Sequence, residues 1–348
     1  FALLLSGLHS TVEYTETLDR VLAANEAPFH IDQHTFSISA SIGYTIYPSD
    51  KNPPDTLLRH ADHAMYHAKT HGGKQHHLFD LALAQLSRDK HQLKEDISEA
   101  LQANQLKLYF QPQINVVTGQ VIGMEALIRW QHPHKGLLLP NEFLPLIENT
   151  HQIIELSEWV INHALQELRI WRNAGLDLYL AVNIAAHHLI EKKFEQQLAE
   201  MLNTFSDIPP RYLNLEITES AAIGEITNVT RIIQQCKKLG VTFAIDDFGA
   251  GYSSLTYLRR LPVDSIKIDR SFINGMLSDP EDLAVVSSII TLCKEFKRNV
   301  IAEGVESADH ANKLVQLGCH LVQGHRIAKP MPANQVISWV ESHSPFIF

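Results

Sequence analysis

The sequence predicts an α/β protein whose larger part is a TIM-like (β/α)8 barrel with one antiparallel strand, preceded by a smaller, partial α+β domain. From about Leu106 onward, short and almost wholly apolar strands alternate with segments of helical spacing, which is typical of a parallel sheet covered by helices. About 250 residues with eight strands is the usual size of a closed β/α barrel. A short turn at Thr118-Gly119 joins the first two strands. They should therefore form a hairpin, which makes one strand antiparallel.

The part before the barrel shows one predicted strand and two predicted helices. Residues 34–47 are rich in β-branched and aromatic residues and are followed by turn residues, so they predict a strand. Apolar residues recur at helical spacing over residues 57–68, and Gly72-Gly73 closes this second element. The polar, helix-prone stretch 81–104 carries no sheet signal and is predicted to be a connecting helix.

The barrel strands follow in a regular order. They read LKLYFQPQI, VIGMEALIRW, LYLAVNI, LNLEIT, TFAIDD, SIKID, NVIAEG and LVQGHRI. A long helical stretch from about Pro140 to Asn173 separates the second strand from the third. The predicted organisation is a first domain over residues 1–80, the connecting helix over 81–104 and the barrel over 105–348.

Composition restricts the class of protein. A chain of 348 residues with 45% hydrophobic and 20% charged content is typical of a globular protein. The formal charge of −10 argues against DNA as a partner, because general nucleic-acid binders need clustered basic residues. The three cysteines are odd in number and far apart, which favours a reducing, cytoplasmic location. No apolar run approaches the roughly 18–20 residues of a membrane span, so we expect no membrane segment.

Polar side chains recur where the apolar strands end. Nine of them lie at or just before the carboxyl ends of the predicted strands: Glu125, Asn183, Glu216, Asp246, Asp247, Lys267, Asp269, Glu303 and Gln323. A single carboxylate in such a place is most often a helix cap or a solvated loop residue. Nine in register are different, since barrel enzymes carry their chemistry at this face. The sequence therefore predicts a functional rim.

Carboxylates gathered at one rim need cations. Two unit charges 4 Å apart repel by about 4 kcal/mol at an effective dielectric of 20. Oxygen ligands from Glu, Asp and Asn, without His or Cys, favour Mg²⁺ or Mn²⁺ over zinc. The neighbours Asp246 and Asp247 should point in different directions, so one could bridge two ions. Paired ions suit hydrolysis of a phosphoester.

The same stretches resemble the EAL phosphodiesterase family across residues 90–342. The matching motifs are EALIRWQHPHKG, VNIAAHHL, LEITES, DDFGAGYSSLTYLRRLPVDSIKID, IAEGVES and QGHRIAKPMP. The resemblance implies a hydrolase that binds cyclic-di-GMP and opens it to linear pGpG by two-metal, in-line attack of water. The alternative left open is a receptor that binds the dinucleotide without cutting it. Loss of metal ligands or of the lysine would indicate such a receptor, and this sequence keeps them.

The resemblance also implies individual roles. Two Mg²⁺ or Mn²⁺ ions are expected, one held by Glu125, Asn183, Glu216 and Asp246, the other by Asp246, Asp247 and Glu303. The expected catalytic residues are Lys267, Glu303, Asp269 and Glu219: Lys267 contacts the attacking water, Asp269 steadies it, and Glu219 steadies the loop from Asp247 to Leu255. The expected substrate contacts are Gln111, Leu127, Arg129, Gln323 and His325. His325 departs from the family pattern, which usually has Tyr or Phe beside the guanine.

The first part of the chain resembles the second half of a GGDEF domain, the fold that synthesises cyclic-di-GMP. The matching stretches are FALL, SIGYTIYPSD and LLRHADHAMYHAKTHGG, and the Gly-Gly-Asp-Glu turn itself is missing. We therefore expect no cyclase activity from this chain. A GTP-responsive regulatory protein is a further alternative, which a GTP titration of a longer chain would test.

Two further expectations concern surfaces. The resemblance implies a homodimer through the helical region after Asp247, with Tyr252, Leu255, Leu258 and Leu261 as its apolar face, although packing on the barrel would explain the same spacing. His60, His63, His67 and His71 stand at helical spacing and could bind a transition metal. Because they occupy outward positions of the GGDEF-like helix, we interpret them as a solvated face.

Overall fold

The structure is a computed structural model that describes residues 1–8, 10–25, 28–31, 34–36, 38–70, 72–249 and 259–342. The chain divides into two compact units, Phe1–Gln92 and Leu93–Phe348. Each unit is described by itself.

The first unit contains short strands and helices in mixed order. Its elements are α1 (Thr11–Ala24), β1 (Phe29–Ile31), β2 (His34–Phe36), β3 (Ile42–Tyr44), α2 (Pro54–Thr70), β4 (His76–Leu78) and the beginning of α3 (Leu81–Gln102). Strands β1 and β2 pair antiparallel, whereas β3 and β4 pair parallel in a separate sheet. The prediction of one strand over residues 34–47 is therefore wrong. The small residues Ser39, Ala40 and Ser41 interrupt it, and the two halves pair with different partners.

Helix α2 buries one of its three histidines. His60 is 8% exposed, its ring stacks on Phe79 at 3.9 Å, and its Nδ1 lies 2.6 Å from Oδ2 of Asp50. The prediction of a solvated histidine face is therefore wrong for His60, because this position faces the loop before the helix. His63 and His67 are exposed, and His71 lies outside the described residues.

Asp50 is the acceptor at the centre of this contact. It also accepts hydrogen bonds from Thr45 and Asn52, at 2.8 and 2.7 Å. Burial alone would raise the pKa of Asp50, but the hydrogen bonds from Asn52, His60 and Thr45 lower it to about 2. Asp50 therefore joins the loop after β3 to α2.

The second unit begins within α3 and contains the remaining elements. Its strands are β5 (Leu106–Asn115), β6 (Val121–His132), β7 (Gly136–Leu138), β8 (Tyr179–Asn183), β9 (Leu213–Thr218), β10 (Thr242–Phe248), β11 (Ser265–Ile268), β12 (Asn299–Ala302), β13 (Leu321–Val322) and β14 (Met331–Pro332). Its helices are α4 (Pro140–Ile147), α5 (His151–Asn173), α6 (Ala186–Leu189), α7 (Phe194–Thr204), α8 (Glu219–Gly224), α9 (Ile226–Lys238), α10 (Arg270–Gly275), α11 (Pro280–Glu295), α12 (Ala308–Leu317) and α13 (Ala333–Ser342). A 3-10 turn covers Pro210–Tyr212.

Eight of these strands close into a barrel. Around the circle the order is β5, β13, β12, β11, β10, β9, β8 and β6, and β6 pairs with β5 to complete it. Strand β5 is antiparallel to both neighbours, and the other seven run parallel. The predicted barrel with one antiparallel strand is confirmed. The carboxyl ends of seven parallel strands consequently meet at one face.

Three local features differ from the sequence-based picture. The long helical stretch after β6 is two helices, α4 and α5, separated at residues 148–150, where Thr150 adopts an extended backbone before α5 begins. Two short strands, β7 and β14, extend the sheet beside β6 and β5. Neither carries enough apolar alternation to be predicted as a strand.

The core of the second unit lies between the barrel and its helices. Trp130, Phe143, Phe194 and Phe243 are wholly buried there. The second half of α3 belongs to this core through Leu93, Ile97 and Ala100. Searched over the described residues, the helices include none with both the length and the apolar character of a bilayer-spanning segment.

Candidate active site

Lys267 lies at the centre of the barrel, where it meets four carboxylates. Strand β11 is apolar on its outer side, and Lys267 points inward between Ile266 and Ile268, with no exposed surface. Its Nζ lies near oxygens of four residues: Glu216 at 2.7 Å, Glu303 at 2.7 Å, Asp246 at 3.1 Å and Glu125 at 3.3 Å. Four of the rim residues predicted from the sequence therefore converge on a fifth, Lys267.

The carboxylates form two overlapping groups. Oxygens of Glu125, Glu216 and Asp246 all lie within 4.8 Å of one another, and so do oxygens of Asp246, Asp247 and Glu303. Asp246 belongs to both groups, whereas Asp247 belongs only to the second. Among the described residues, no other histidine, cysteine or carboxylate groups of this kind were found.

Neighbouring strands hold this arrangement in register. Asn183, at the end of β8, pairs with Glu216 on β9, and its Nδ2 donates to Oε1 of Glu125 at 2.7 Å. Glu125 lies in the middle of β6 rather than at its end, because β6 continues to His132 beyond the barrel wall. The expectation that Glu125 stands at a strand end is therefore wrong, and it pairs with Ala181, two residues before β8 ends.

A bulge separates the two neighbouring aspartates. The pairing of β10 with β11 shifts register between Ile245 and Phe248, and Asp247 adopts a left-handed backbone with φ of 52°. This conformation is uncommon for a residue other than glycine, and residues held in it often lie at functional sites. Asp246 is consequently buried in the barrel mouth, whereas Asp247 is exposed above it.

The charges shift the pKa values of the buried groups strongly. Burial raises the pKa of Glu216 well above its ordinary value despite Lys267, and it raises the pKa of Glu303 to about 8. Burial would also raise the pKa of Glu125, but the Lys267 ammonium and hydrogen bonds from Gln323 and Asn183 lower it. Burial alone would lower the pKa of Lys267, yet the four carboxylates raise it well above its ordinary value. Lys267 therefore stays an ammonium.

Asp247 shares this environment with Asp269. Partial burial of the carboxyl group, followed by the charge of Asp246 and a hydrogen bond with Asp269, raises the pKa of Asp247 to about 6. Asp269 caps α10 by accepting a 2.8 Å hydrogen bond from the Ser271 amide. Asp269 is not one of the described carboxylates that lie within 4.0 Å of the Lys267 ammonium. Asp269 therefore contacts the rim through Asp247.

Glu219 supports the segment that follows Phe248. It is 5% exposed at the start of α8, and its Oε2 accepts a 2.9 Å hydrogen bond from the amide of Gly249. Gly249 has a positive φ of 103°, and a Cβ there would lie 2.9 Å from the Phe272 ring. Residues 250–258, which hold most of the loop that Glu219 is expected to steady, lie outside the described residues.

The residues predicted to contact a substrate fall into two sets. Gln111 and Gln323 are buried, and the Gln323 amide donates to Oε2 of Glu125 at 2.6 Å and to Oε1 of Gln111 at 3.0 Å. Leu127 and Arg129 follow Glu125 on the same face of β6 and are partly exposed, and His325 is exposed after β13. The second set is therefore open to a ligand above the carboxylates.

Two interior residues were missed by sequence reasoning. Gln113 is wholly buried, donates to Oε1 of Gln323 at 2.8 Å, and accepts a hydrogen bond from the hydroxyl of Tyr179. Gln113 had a detectable signal, since it lies two residues after Gln111 and so on the same strand face. The sequence carries no comparable signal for Tyr179, because the contact of its hydroxyl with Gln113 depends on how β8 pairs with β6.

The donor set fits divalent cations that prefer oxygen. Each group offers three carboxylates, and Asn183 adds an amide beside the first group. Carboxylate and amide oxygens without thiolate or imidazole suit Mg²⁺ or Mn²⁺. A bound cation would also stabilise the ionised form of buried carboxylates whose pKa values are raised, because it takes the place of the proton.

Comparison with known proteins identifies the family. Residues 94–330 match the family model for the EAL domain. The chain belongs to the EAL domain family. Outside this EAL domain, residues 1–75 match the model described as "Diguanylate cyclase, GGDEF domain". The predicted resemblance to both domains is confirmed.

Relatives of this chain include two proteins of Pseudomonas aeruginosa. The bifunctional diguanylate cyclase/cyclic di-GMP phosphodiesterase MucR is 40% identical over 314 residues, 90% of this chain and 46% of MucR. The cyclic di-GMP phosphodiesterase NbdA is 35% identical, over 90% of this chain and 40% of NbdA. The chain thus spans less than half the length of these two curated relatives. A solved structure described as "PaMucR Phosphodiesterase, c-di-GMP complex" is 41% identical, with a TM-score of 0.68, covering 70% of this chain and 99% of that one.

Proposed function

We propose that this chain hydrolyses cyclic-di-GMP to linear pGpG with two bound Mg²⁺ or Mn²⁺ ions. The observation that carries the proposal is the pair of carboxylate groups that share Asp246 at one barrel face. The names of MucR, NbdA and the PaMucR complex support the choice of substrate and reaction. The sequence retains Lys267 and every residue expected to bind a cation.

The proposed reaction breaks one of two equivalent phosphodiester bonds. The oxygen of water bonds to phosphorus, the bond from phosphorus to the 3′ oxygen breaks, and that oxygen leaves with a proton. The product carries a 5′ phosphate and a free 3′ hydroxyl. Bound divalent cations would supply Lewis acidity at the phosphate and make the attacking water more acidic.

The chain's own residues would hold and orient the reactants. Lys267 keeps a positive charge at the centre of the carboxylates, where it would contact the attacking water. Asp247 and Asp269 lie together at the outer side of the same rim. Glu219 would fix the start of the segment after β10 through the Gly249 amide.

The open set above the carboxylates would bind the dinucleotide. The Arg129 guanidinium lies 5.6 Å from the centre of the Tyr109 ring, which orients it at the outer end of β6. An arginine so placed can pair with a phosphate. Leu127 offers apolar surface, and His325 would contact a guanine edge or face.

The receptor that binds without cutting is the second reading of the sequence. It is disfavoured by the complete carboxylate set, since loss of metal ligands or of the lysine would indicate such a receptor and this sequence keeps them. Incubation of the chain with cyclic-di-GMP and Mn²⁺, with chromatographic analysis, separates the two. We expect pGpG to accumulate, to stop with EDTA and to resume with excess Mg²⁺ or Mn²⁺ without zinc. Stoichiometric binding with unchanged dinucleotide would establish the receptor instead.

We also propose a homodimer and a reducing, cytoplasmic location. Tyr252, Leu255 and Leu258 of the predicted dimer face lie outside the described residues, but Leu261 is 2% exposed and belongs to the barrel core. Leu261 was therefore wrongly included in that face. Light scattering that finds only monomer at high micromolar concentration would exclude the dimer.

Cys236, Cys293 and Cys319 are free and buried, which supports the proposed reducing, cytoplasmic location.

A further inference from the structure

A continuous chain of hydrogen bonds runs through the barrel interior to Glu125. The Tyr179 hydroxyl donates to Oε1 of Gln113, and Nε2 of Gln113 donates to Oε1 of Gln323 at 2.8 Å. Nε2 of Gln323 then donates to Oε2 of Glu125 at 2.6 Å. Three strands and the end of a fourth contribute, so these four residues are distant in the sequence but adjacent in the barrel.

The strand register explains why these side chains meet. Gln113 on β5 pairs with Gly123 on β6, and Gly123 pairs in turn with Tyr179 on β8. A Cβ at Gly123 would lie 2.7 Å from carbons of the Tyr179 ring. Glycine at this position therefore leaves the space through which the Tyr179 ring reaches Gln113. Any larger residue there would displace the ring.

The direction of the chain is set by its carboxylate end. An ionised carboxylate only accepts hydrogen bonds, so Gln323 must turn its NH₂ group toward Glu125. Its oxygen then faces Gln113, which must also present an NH₂ group. The oxygen of Gln113 consequently faces Tyr179, where a hydroxyl can donate. Each amide thus has one orientation, and Tyr179 is the donor that ends the chain.

Burial makes this orientation important. Gln113 is wholly buried, and Gln323 is 3% exposed, so solvent cannot replace a missing partner at either amide. Burial also raises the pKa of Tyr179, which keeps its proton available for donation. Without that donor, the Gln113 oxygen would be buried without a partner, and rotation of the amide would break the bond to Gln323.

We propose that Tyr179 and Gln113 are positioning residues, which fix the Gln323 amide and through it the Glu125 carboxylate. This inference rests on the proposed function, in which Glu125 is a ligand of the first cation. Among the described contacts, two side-chain amides donate hydrogen bonds to Glu125: Gln323 to Oε2 and Asn183 to Oε1. Together they set the plane of the carboxylate. Partners of this kind commonly change metal affinity by about 10–100-fold when removed.

Calorimetric titration of Mn²⁺ into the metal-free chain tests the positioning role without relying on activity. We expect Tyr179→Phe to weaken Mn²⁺ binding by about tenfold, within the range for such partners. In a Gln323→Leu background the same change should have no further effect, because the chain is already broken. In turnover, kcat should fall while the KM for cyclic-di-GMP stays within about twofold, since the proposed dinucleotide contacts Leu127, Arg129 and His325 are left in place.

The matched control is Thr242→Val. It removes another hydrogen bond between barrel strands, the one that Asn214 Nδ2 donates to Thr242 Oγ1 at 2.9 Å. The described side-chain hydrogen bonds of Thr242 do not connect it to Glu125. Circular dichroism and the unfolding midpoint in chelator show whether each variant is folded. If Tyr179→Phe does not fold, Gln113→Met replaces it with the same expectation.

The possible outcomes distinguish a failure of the proposed function from a failure of the positioning role alone. Absence of Mn²⁺ binding by the unchanged chain would defeat the proposed function itself. Binding by the unchanged chain, together with equal affinity in Tyr179→Phe, would defeat only the positioning role. An equal loss in Thr242→Val, or additive losses from Tyr179→Phe and Gln323→Leu, would also overturn it, because either would indicate general loosening of the barrel.

Discussion

The Nζ of Lys267 lies 2.7 Å from Oε2 of Glu216, and the two side chains are 0% and 1% exposed. A carboxylate buried this deeply stays ionised only beside a compensating charge, since otherwise it takes up a proton. Lys267 supplies that charge to three further carboxylates, which surround the same ammonium. The lysine therefore has a structural role in addition to the one proposed in hydrolysis.

Replacing Lys267 should make the stability of the chain depend on metal. In chelator, Lys267→Met should lose about 3–5 kcal/mol of unfolding free energy, because it leaves buried carboxylates without a partner. Mn²⁺ should recover part of this loss by replacing the positive charge, whereas activity should not return. Urea unfolding with and without Mn²⁺ measures both effects.

Lys237→Met is the control for that experiment. Lys237 pairs with Asp264 at 2.6 Å, but both side chains are 33% exposed. Its loss should cost about 1 kcal/mol or less. If Lys267→Met in chelator were as stable as this control, the central lysine would not be the main counter-charge.

Removing a shared or buried ligand should stop hydrolysis without unfolding the barrel. Glu125→Gln and Asp246→Asn keep the size of the side chain but remove a charge from the proposed sites. Activity should fall by more than the ~10–100-fold typical of losing a ligand's outer partner. Glu295→Gln, at the exposed end of α11, is the control and should leave turnover unchanged. Near-normal turnover of Glu125→Gln under saturating Mn²⁺ would refute the ligand assignment.

His325→Tyr should tighten the binding of cyclic-di-GMP. A larger ring offers more surface to a guanine, and stacking on an aromatic side chain is worth about 1–3 kcal/mol per base. We expect KM to fall a few-fold with little change in kcat, because His325 lies outside the carboxylate groups. Titration in Ca²⁺, which should support binding without turnover, gives the affinity directly. His320→Tyr, exposed before β13, is the control. Equal affinities in all three proteins would place His325 away from the guanine.

Asp50→Asn should loosen α2 of the first unit in a pH-dependent way. The pKa of Asp50 lies below its ordinary value, at about 2. Its ionised form therefore stabilises the folded state above the ordinary aspartate pKa of ~4, and this stabilisation is lost as pH falls toward 2. Hydrogen exchange over Pro54–Thr70 should be faster in the variant than in the unchanged chain at pH 7, with a smaller difference at pH 3. The control is Asp19→Asn in α1, whose carboxylate is 67% exposed and lies 3.2 Å from His76 Nε2. A difference that grows on acidification would contradict the assignment.

The sequence predicted the barrel because its strands are short, apolar and separated by helical spacing. It also predicted which polar residues face the rim, since Glu216, Asp246 and Lys267 interrupt otherwise apolar strands. It could not show that Lys267 contacts four carboxylates at once, because that depends on how far each strand is shifted against its neighbour. For the same reason the pairing of Gly123 with Tyr179 was not visible. The break between α4 and α5 was also missed, since both sides keep helical spacing.

Diffraction from crystals of the chain with Mn²⁺ and cyclic-di-GMP, recorded for anomalous scattering, tests the central claim most directly. We expect two manganese peaks beside the dinucleotide phosphate. One should lie among Glu125, Asn183, Glu216 and Asp246, and the other among Asp246, Asp247 and Glu303. A single peak, or peaks that do not share Asp246 as a ligand, would contradict the two-cation site on which the proposed hydrolysis rests.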